Sequence, residues 1–292
     1  MRVIRNILAL VGGASAGFAV TSAMAAPRDW EWTFQPAATD MMRQITWFQD
    51  YTLWFIVPIT ILVMVLLGYC MFRFSAKRNP VPSQTTHNTL IEVIWTVLPV
   101  VVLIAIAIPS FQLLTAQYNP KDAPKLTVKA TGNQWNWDYE YETGDKDKLS
   151  FNSSILADAD RAKLGKENRD EYPRLLTVNH EMVVPVNAMV RVLVTGADVI
   201  HSFAMPPFGI KVDAVPGRMN ETWFKAEKEG IFYGQCSELC GKDHAFMPIA
   251  IRVVSQQQYD NWYKTAKNDL DGANKALMAE VDHNKTKVAA AN

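Results

Sequence analysis

The sequence predicts an α+β membrane protein, in which a hairpin of two membrane-crossing helices precedes an exported β-barrel of Greek-key type. Three observations carry this. Residues 53–72 ("LWFIVPITILVMVLLGYCMF") and 93–111 ("VIWTVLPVVVLIAIAIPSF") contain no charged side chain, and about 20 apolar residues in a helix cover a ~30 Å hydrocarbon core. From residue 115 to about 255 the chain shows short runs of period-two alternation broken by Gly, Pro and Asn, the pattern of half-buried strands joined by turns. The connection between the apolar runs carries Arg73, Lys77 and Arg78, and positive loops stay in the cytoplasm.

The elements follow in order. Residues 1–26 combine Arg2 and Arg5, an apolar run over 7–20 and Ala23-Met24-Ala25-Ala26, the layout of a cleaved secretory signal; a retained anchor is the alternative. Residues 27–50 form an exported N-terminal segment, 51–73 the first transmembrane helix, 74–90 a cytoplasmic loop and 91–114 the second helix. Pro58, Pro99 and Pro109 lie inside these spans, which membrane helices tolerate. Two buried helices of a soluble protein are a poor alternative, because at ~150 residues per domain the remaining chain is too short to wrap them. The domain at 115–255 therefore lies outside, in a bacterium in the periplasm.

Within that domain, strands are expected at 126–131, 135–142, 174–179, 188–196, 223–227 and 247–254, the second alternating Trp135, Trp137, Tyr139 and Tyr141 with polar residues. About 140 residues of short strands give a sandwich or Greek-key barrel. Residues 157–172 are charged and read as a surface loop or small helix. The tail at 256–292 is polar and partly helical in pattern, with its last residues expected to be disordered. Lys plus Arg and Asp plus Glu number 29 each, so the net charge is zero; nothing points to nucleic acid, and a charged partner would have to meet a local patch.

The chemistry concentrates at "GQCSELCGKDHAFMPIAI" (234–251), which holds two of only three cysteines together with His244 and Met247. A disulfide is one reading in an oxidising compartment, but it leaves His244 and Met247 unexplained. Structural zinc prefers three or four Cys and His ligands, and Met suits it poorly. Copper fits better, since thiolate and thioether select Cu(I) and imidazole suits either oxidation state. Of five histidines, His87 is cytoplasmic and His283 lies in the tail, which leaves His201, at a strand end, or His180 as the second imidazole. Two thiolates, Cys236 and Cys240, can bridge two copper ions. His201 and His244 would then give one imidazole to each, with Met247 and the Glu238 carbonyl as weak ligands. No position is left open for a substrate, so such a centre suits electron transfer.

The segments "HSFAMPPFGIKVDAVPGR", "GQCSELCGKDHAFMP" and "GNQWNWDYEYE" resemble subunit II of aa3-type cytochrome c oxidase, with its cupredoxin-like barrel and dinuclear CuA centre. The signal, hairpin and exported barrel extend the resemblance over nearly the whole chain. It implies an electron-transfer subunit that takes electrons from cytochrome c and passes them to haem in subunit I, where oxygen is reduced and protons are pumped. It implies Trp135 as the point where electrons arrive, and Trp137 as packing. Asp138, Glu140, Glu142 and Asp198 become an acidic patch for basic cytochrome c. Glu238 becomes a magnesium ligand at the boundary with subunit I, which Asp213 and Arg218 also face, and Glu92 the mouth of a proton path. Subunits I and III, cytochrome c and membrane lipid are the implied partners. Asn133 and Asn136 depart from the family pattern, which puts the detail of docking in question. A quinol oxidase subunit II would lack the copper ligands, a copper carrier would need an exposed exchangeable site, and the corresponding domain of nitrous oxide reductase has no two-helix anchor. The oxygen chemistry belongs to a partner, because no Cys-x2-Cys-His haem motif occurs here.

Overall fold

A computed structural model describes residues 27, 30–142 and 148–291 of the chain. The expected signal over residues 1–26 lies outside the described residues.

Among the described residues two long helices precede the strands, α1 (Asp40–Arg73) and α2 (Thr89–Tyr118), both apolar enough to cross a membrane and with none of their apolar windows buried. Each outlasts its predicted span, and α1 begins eleven residues before the predicted start at 51. The extra turns are held by the exported domain rather than by lipid. Thr39 caps α1 by accepting from Met42 N at 3.0 Å, and its hydroxyl donates to Phe208 O at 2.8 Å. Ala38 N donates to Pro207 O at 2.9 Å, Glu227 N donates to Ala38 O at 3.0 Å, and Arg43 pairs with Glu227 at 2.5 Å. Met41 and Met42 are buried there. Gly209, at φ +72°, receives this helix; a β-carbon on it would lie 2.8 Å from Ile45. At the other helix, Trp223 Nε1 donates to Gln117 O at 2.7 Å. The barrel thus stands on both helices at fixed points.

Inside the hairpin, Pro109 cannot donate to the carbonyl four residues earlier. That carbonyl, on Ala105, accepts instead from the Tyr51 hydroxyl at 3.0 Å. In hydrocarbon an unpaired carbonyl costs several kcal/mol, so one bond both repairs the proline site and joins α1 to α2.

The exported domain is two five-stranded sheets around one core, ordered β3-β2-β1-β5-β8 and β4-β10-β9-β6-β7. The strands are β1 (Leu126–Asn133), β2 (Asn136–Glu142), β3 (Leu149–Ser153), β4 (Met182–Pro185), β5 (Met189–Gly196), β6 (His201–Met205), β7 (Ile210–Ala214), β8 (Asn220–Lys225), β9 (Gly230–Cys236) and β10 (Pro248–Val254). The pairs β1–β5 and β4–β10 are parallel and the rest antiparallel; β1–β2, β2–β3, β6–β7 and β9–β10 join consecutive strands, while β1–β5, β5–β8, β4–β10 and β6–β9 join strands distant in sequence, the crossovers of a Greek key. Trp137, Tyr139 and Tyr141 point into the core, as the alternation predicts.

Other expectations change. Residues 174–179 form turns and one isolated bridge, Ile155 to Val178, instead of a strand. There Leu175 adopts φ +70°, while the Pro173 carbonyl accepts from Thr177 Oγ1 at 2.8 Å. The charged stretch 157–172 keeps the expected short helix, a 3-10 turn at Asp158–Asp160, and is anchored from below: Arg161 donates to Lys166 O and Tyr172 O, and Lys166 donates to Val178 O and Asn179 O. The tail is ordered into α3 (Gln256–Ala266) and α4 (Leu270–Ala291), against the expectation of disorder at its end. Ser255 caps α3 in a reciprocal box with Gln258, and Tyr259 and Trp262 lie among the buried core residues. Trp262 and Tyr263 pack against Tyr141, whose hydroxyl accepts from Val183 N at 2.8 Å and donates to Val183 O at 2.9 Å. β4 is an edge strand, and a phenol from the facing sheet supplies what a neighbouring strand would.

Candidate metal centre

The metal loop follows β9, which ends at Cys236, and leads into β10 after the short 3-10 turn His244–Phe246. β6 begins with His201 and pairs antiparallel with β9, setting Phe203 opposite Cys236. The His201 side chain is fully buried. Its room comes from Gly132, where a β-carbon would sit 2.9 Å from the imidazole ring, and from Trp137, whose ring meets it edge-on at 6.1 Å. Trp137 also donates through Nε1 to Met247 O at 3.4 Å, so it packs the site rather than facing outward.

Six donors converge. Cys236 Sγ lies 3.9 Å from Cys240 Sγ, 4.0 Å from His201 Nδ1 and 3.4 Å from Glu238 O. Cys240 Sγ lies 3.5 Å from both His244 Nδ1 and Met247 Sδ. His201, Cys236 and Cys240 form the metal-competent cluster among the described residues, with ligand atoms within 4.8 Å of one another. The cysteines are free, far from the ~2.05 Å of a disulfide. Burial and the neighbouring Cys236 sulfur push the Cys240 thiol up to about 12, as expected where two thiolates would share one dry space without a cation. A thiolate pair, two imidazoles, a thioether and a carbonyl form a soft set that suits copper better than zinc. The residues fit a copper pair.

His201 is held from behind. Its Nε2 donates to Asp198 Oδ1 at 2.8 Å, which leaves Nδ1 free toward the cysteines. Asp198 also accepts from Val199 N and from Gln134 N, each at 2.7 Å. Burial alone would raise its pKa, yet these three donors, His201 first, hold it below the usual carboxylate value. Gln134 in turn donates through Nε2 to Cys240 O at 2.7 Å. The Trp135 ring lies over the loop, where a β-carbon on Gly241 would reach within 2.9 Å of it, and Lys242 Nζ is 5.8 Å from the ring centre. Neither bond network was read from sequence; the Asp-x2-His spacing of Asp198 and His201 was the available signal, and Gln134 had none beyond standing next to Trp135.

The expected acidic residues are not alike. Asp198 is committed to His201 and two backbone donors. Asp138 is exposed, its carboxylate held by Asn133 Nδ2 at 2.8 Å and Asn152 Nδ2 at 2.7 Å; Asn133 and Asn136 therefore belong to an amide network around it. Glu140 pairs with Lys148 at 3.4 Å, and Glu142 lies two residues further along β2. Glu238 presents its carbonyl to Cys236 and an exposed side chain outward. Glu92 stands at the start of α2, where its carboxylate accepts from Asn88 N at 3.2 Å while Asn88 caps Ile91 N. His180 is not brought to the site; it bonds Asn152 O and Asp271, each at 3.0 Å.

Residues 126–254 match the family described as cytochrome C oxidase subunit II, periplasmic domain, and residues 27–113 match its transmembrane domain. A probable cytochrome c oxidase subunit 2 of Rickettsia felis is 47% identical over 87% of this chain and 78% of its own length. The cytochrome c oxidase subunit 2 of Cereibacter sphaeroides is 45% identical, covering 80% of each chain. Among solved structures, the periplasmic domain of cytochrome oxidase subunit II of Bradyrhizobium japonicum is 57% identical, covering 51% of this chain and 98% of that one at a TM-score of 0.44. This chain belongs to the cytochrome c oxidase subunit II family, as a two-pass inner-membrane subunit of the oxidase with its barrel in the periplasm.

Proposed function

We propose that the chain receives electrons from cytochrome c at a dinuclear copper centre and delivers them to haem in subunit I, where oxygen is reduced and protons are pumped. The observation that carries this is the convergence of His201, at the start of β6, with Cys236, Glu238 O, Cys240, His244 and Met247 of the loop after β9, the two sulfurs lying 3.9 Å apart. A copper pair held there would supply one-electron redox chemistry.

The chain's own residues do the rest. Cys236 and Cys240 would hold the copper as thiolates, so each must give up its thiol proton to bind. His201, fixed by Asp198, and His244 would each supply one imidazole nitrogen. Met247 and the Glu238 carbonyl would add weak ligands, and the burial of His201, Cys236, Cys240 and Met247 excludes water. Trp135, half-buried beside Gly241, is where electrons arrive, and exposed Asp138 with the β2 acids Glu140 and Glu142 attracts a basic cytochrome c, mainly by speeding association. The exposed Glu238 carboxylate is an oxygen donor of the kind magnesium prefers, at the boundary with subunit I. Glu92 serves as the mouth of a proton path on the cytoplasmic side. Subunit III is a further partner, and residues 1–26 are a cleaved signal.

The test loads the purified full chain with copper and records near-infrared absorption and electron paramagnetic resonance. A seven-line mixed-valence pattern is expected; a four-line pattern, or one copper per chain by metal analysis, would overturn the reading. Met247→Leu should leave copper bound, shift its potential and slow electron transfer, and unchanged turnover in that variant would count against the thioether's role.

A further inference from the structure

Gln134 reaches both halves of the metal site and immediately precedes Trp135 in the chain. Its main-chain N–H donates to Asp198 Oδ2 at 2.7 Å, and Asp198 Oδ1 holds His201 Nε2 at 2.8 Å. Its side-chain Nε2 donates to the carbonyl of Cys240 at 2.7 Å. Two ligands from different parts of the fold, His201 on β6 through Asp198 and Cys240 in the loop after β9 directly, are therefore tied to the same two-residue turn between β1 and β2.

The loop is shaped to receive that turn. Gly241 follows Cys240 at φ +128°, a conformation that side-chain-bearing residues rarely adopt. A β-carbon there would come within 2.9 Å of the Trp135 ring and 3.0 Å of Gln134 Nε2. The indole and the amide thus lie directly on the main chain of a ligand loop with no side chain between them. The ring alone does not explain this placement, since its Nε1 is buried without a hydrogen-bond partner and cannot orient it. Asn133 Nδ2 donates to Asn136 Oδ1 across the turn at 3.2 Å, and the polar contacts that tie the turn to the ligand loop and to Asp198 are those of Gln134.

We propose that Gln134 is a positioning residue for electron uptake, which clamps the Trp135 indole against the Gly241 backbone by bonding the Cys240 carbonyl and the Asp198 carboxylate together. The clamp rests on the reading that Trp135 is where electrons arrive. In that step one electron leaves the haem iron of a reduced c-type cytochrome, which is oxidised, and reduces the metal site; no bond is made or broken and no proton moves. Such a step depends on the contact between the ring and the loop, and Gln134 sets that contact without touching donor or metal itself.

The experiment uses the full chain in its oxidase complex, with Gln134→Leu, Gln134→Lys and Trp135→Leu. Copper content and paramagnetic spectrum should be those of wild type in Gln134→Leu, because no ligand is removed. Electron uptake at saturating reduced cytochrome c should fall roughly 10- to 100-fold, the scale for misplacing a reacting group by about 1 Å, with the KM unchanged. Gln134→Lys restores a donor of similar reach and should recover most of the rate at saturation, its added charge acting on the KM.

A second readout needs no metal. In the full chain labelled with 5-fluorotryptophan and freed of copper, the Trp135 resonance, identified by its loss in Trp135→Leu, should shift or broaden in Gln134→Leu while that of Trp137 stays in place. Wild-type uptake and an unmoved Trp135 resonance in Gln134→Leu would overturn the proposal. Wild-type uptake in Trp135→Leu would overturn the role of Trp135 instead, whatever Gln134→Leu does to the resonance.

Discussion

Replacing Asp198 by Asn separates two roles that this carboxylate could have. Its two oxygens accept three N–H groups, Val199 N and His201 Nε2 on Oδ1 and Gln134 N on Oδ2. An amide of the same shape has one acceptor oxygen, so in either orientation at least one N–H meets an NH2 group. The less costly orientation keeps Oδ1 in place and loses the Gln134 bond. Hydrogen bonds to charged groups contribute about 1.5–3 kcal/mol, but this side chain is 36% exposed, so solvent screening reduces that. Asp198→Asn should therefore destabilise the metal-free chain by about 1–2 kcal/mol, lowering its melting temperature by a few degrees. Losing the carboxylate behind a ligating histidine should also weaken copper binding about 10- to 100-fold. Copper affinity is measured by competition with a chelator, beside Asp138→Asn, which should leave affinity unchanged and alter only the salt dependence of cytochrome c oxidation. If Asp198→Asn keeps wild-type copper affinity and changes only that salt dependence, the carboxylate is a docking charge and the positioning argument fails.

Two further expectations concern the barrel. Tyr141→Phe strands the N–H and C=O of Val183 on a buried edge strand, and at about 1–3 kcal/mol per unsatisfied group it should cost about 2–4 kcal/mol; a guanidinium midpoint within error of wild type would refute the clasp. Glu181 is buried between Arg252 at 2.5 Å and Lys166 at 3.0 Å. Burial alone would raise its pKa, but the two cations, Arg252 first, hold it down to about 2 from 4.5. A depressed carboxylate stabilises the fold above its unfolded value and loses that contribution as pH falls through the folded one, so about 3 kcal/mol should disappear between about pH 4.5 and 2. Glu181→Gln should flatten stability over that window and, by leaving two buried cations unpaired, destabilise by about 3–5 kcal/mol at neutral pH. An unaltered acid limb in that variant would show that another group governs acid unfolding.

How much of this was legible in the sequence follows from the range of the forces involved. Strands with one buried and one exposed face, such as β1 and β2, announce themselves by alternation. β4 and β6, buried at every position, have no such rhythm, and residues 174–179 imitated a strand whose backbone the Pro173 carbonyl and Leu175 draw into turns. α1 was legible only where lipid dictates composition. Its first turns answer to the barrel through Thr39, Met42 and Gly209, partners more than 160 residues away.

The amino-acid sequence by itself determined the two membrane helices and the kinds of metal donor, because hydrocarbon thickness and ligand softness act on neighbouring residues. Five of the six donors lie within the twelve positions from Cys236 to Met247. The preference for His201 over His180 was already legible in the sequence; the tertiary structure alone decided that Asp198 faces His201 and that Gln134 bridges Asp198 and the Cys240 carbonyl. Each of these depends on which strand ends the Greek-key crossings bring together, and hydrogen-bond partners 64 and 106 residues apart leave no periodic or local mark on the chain.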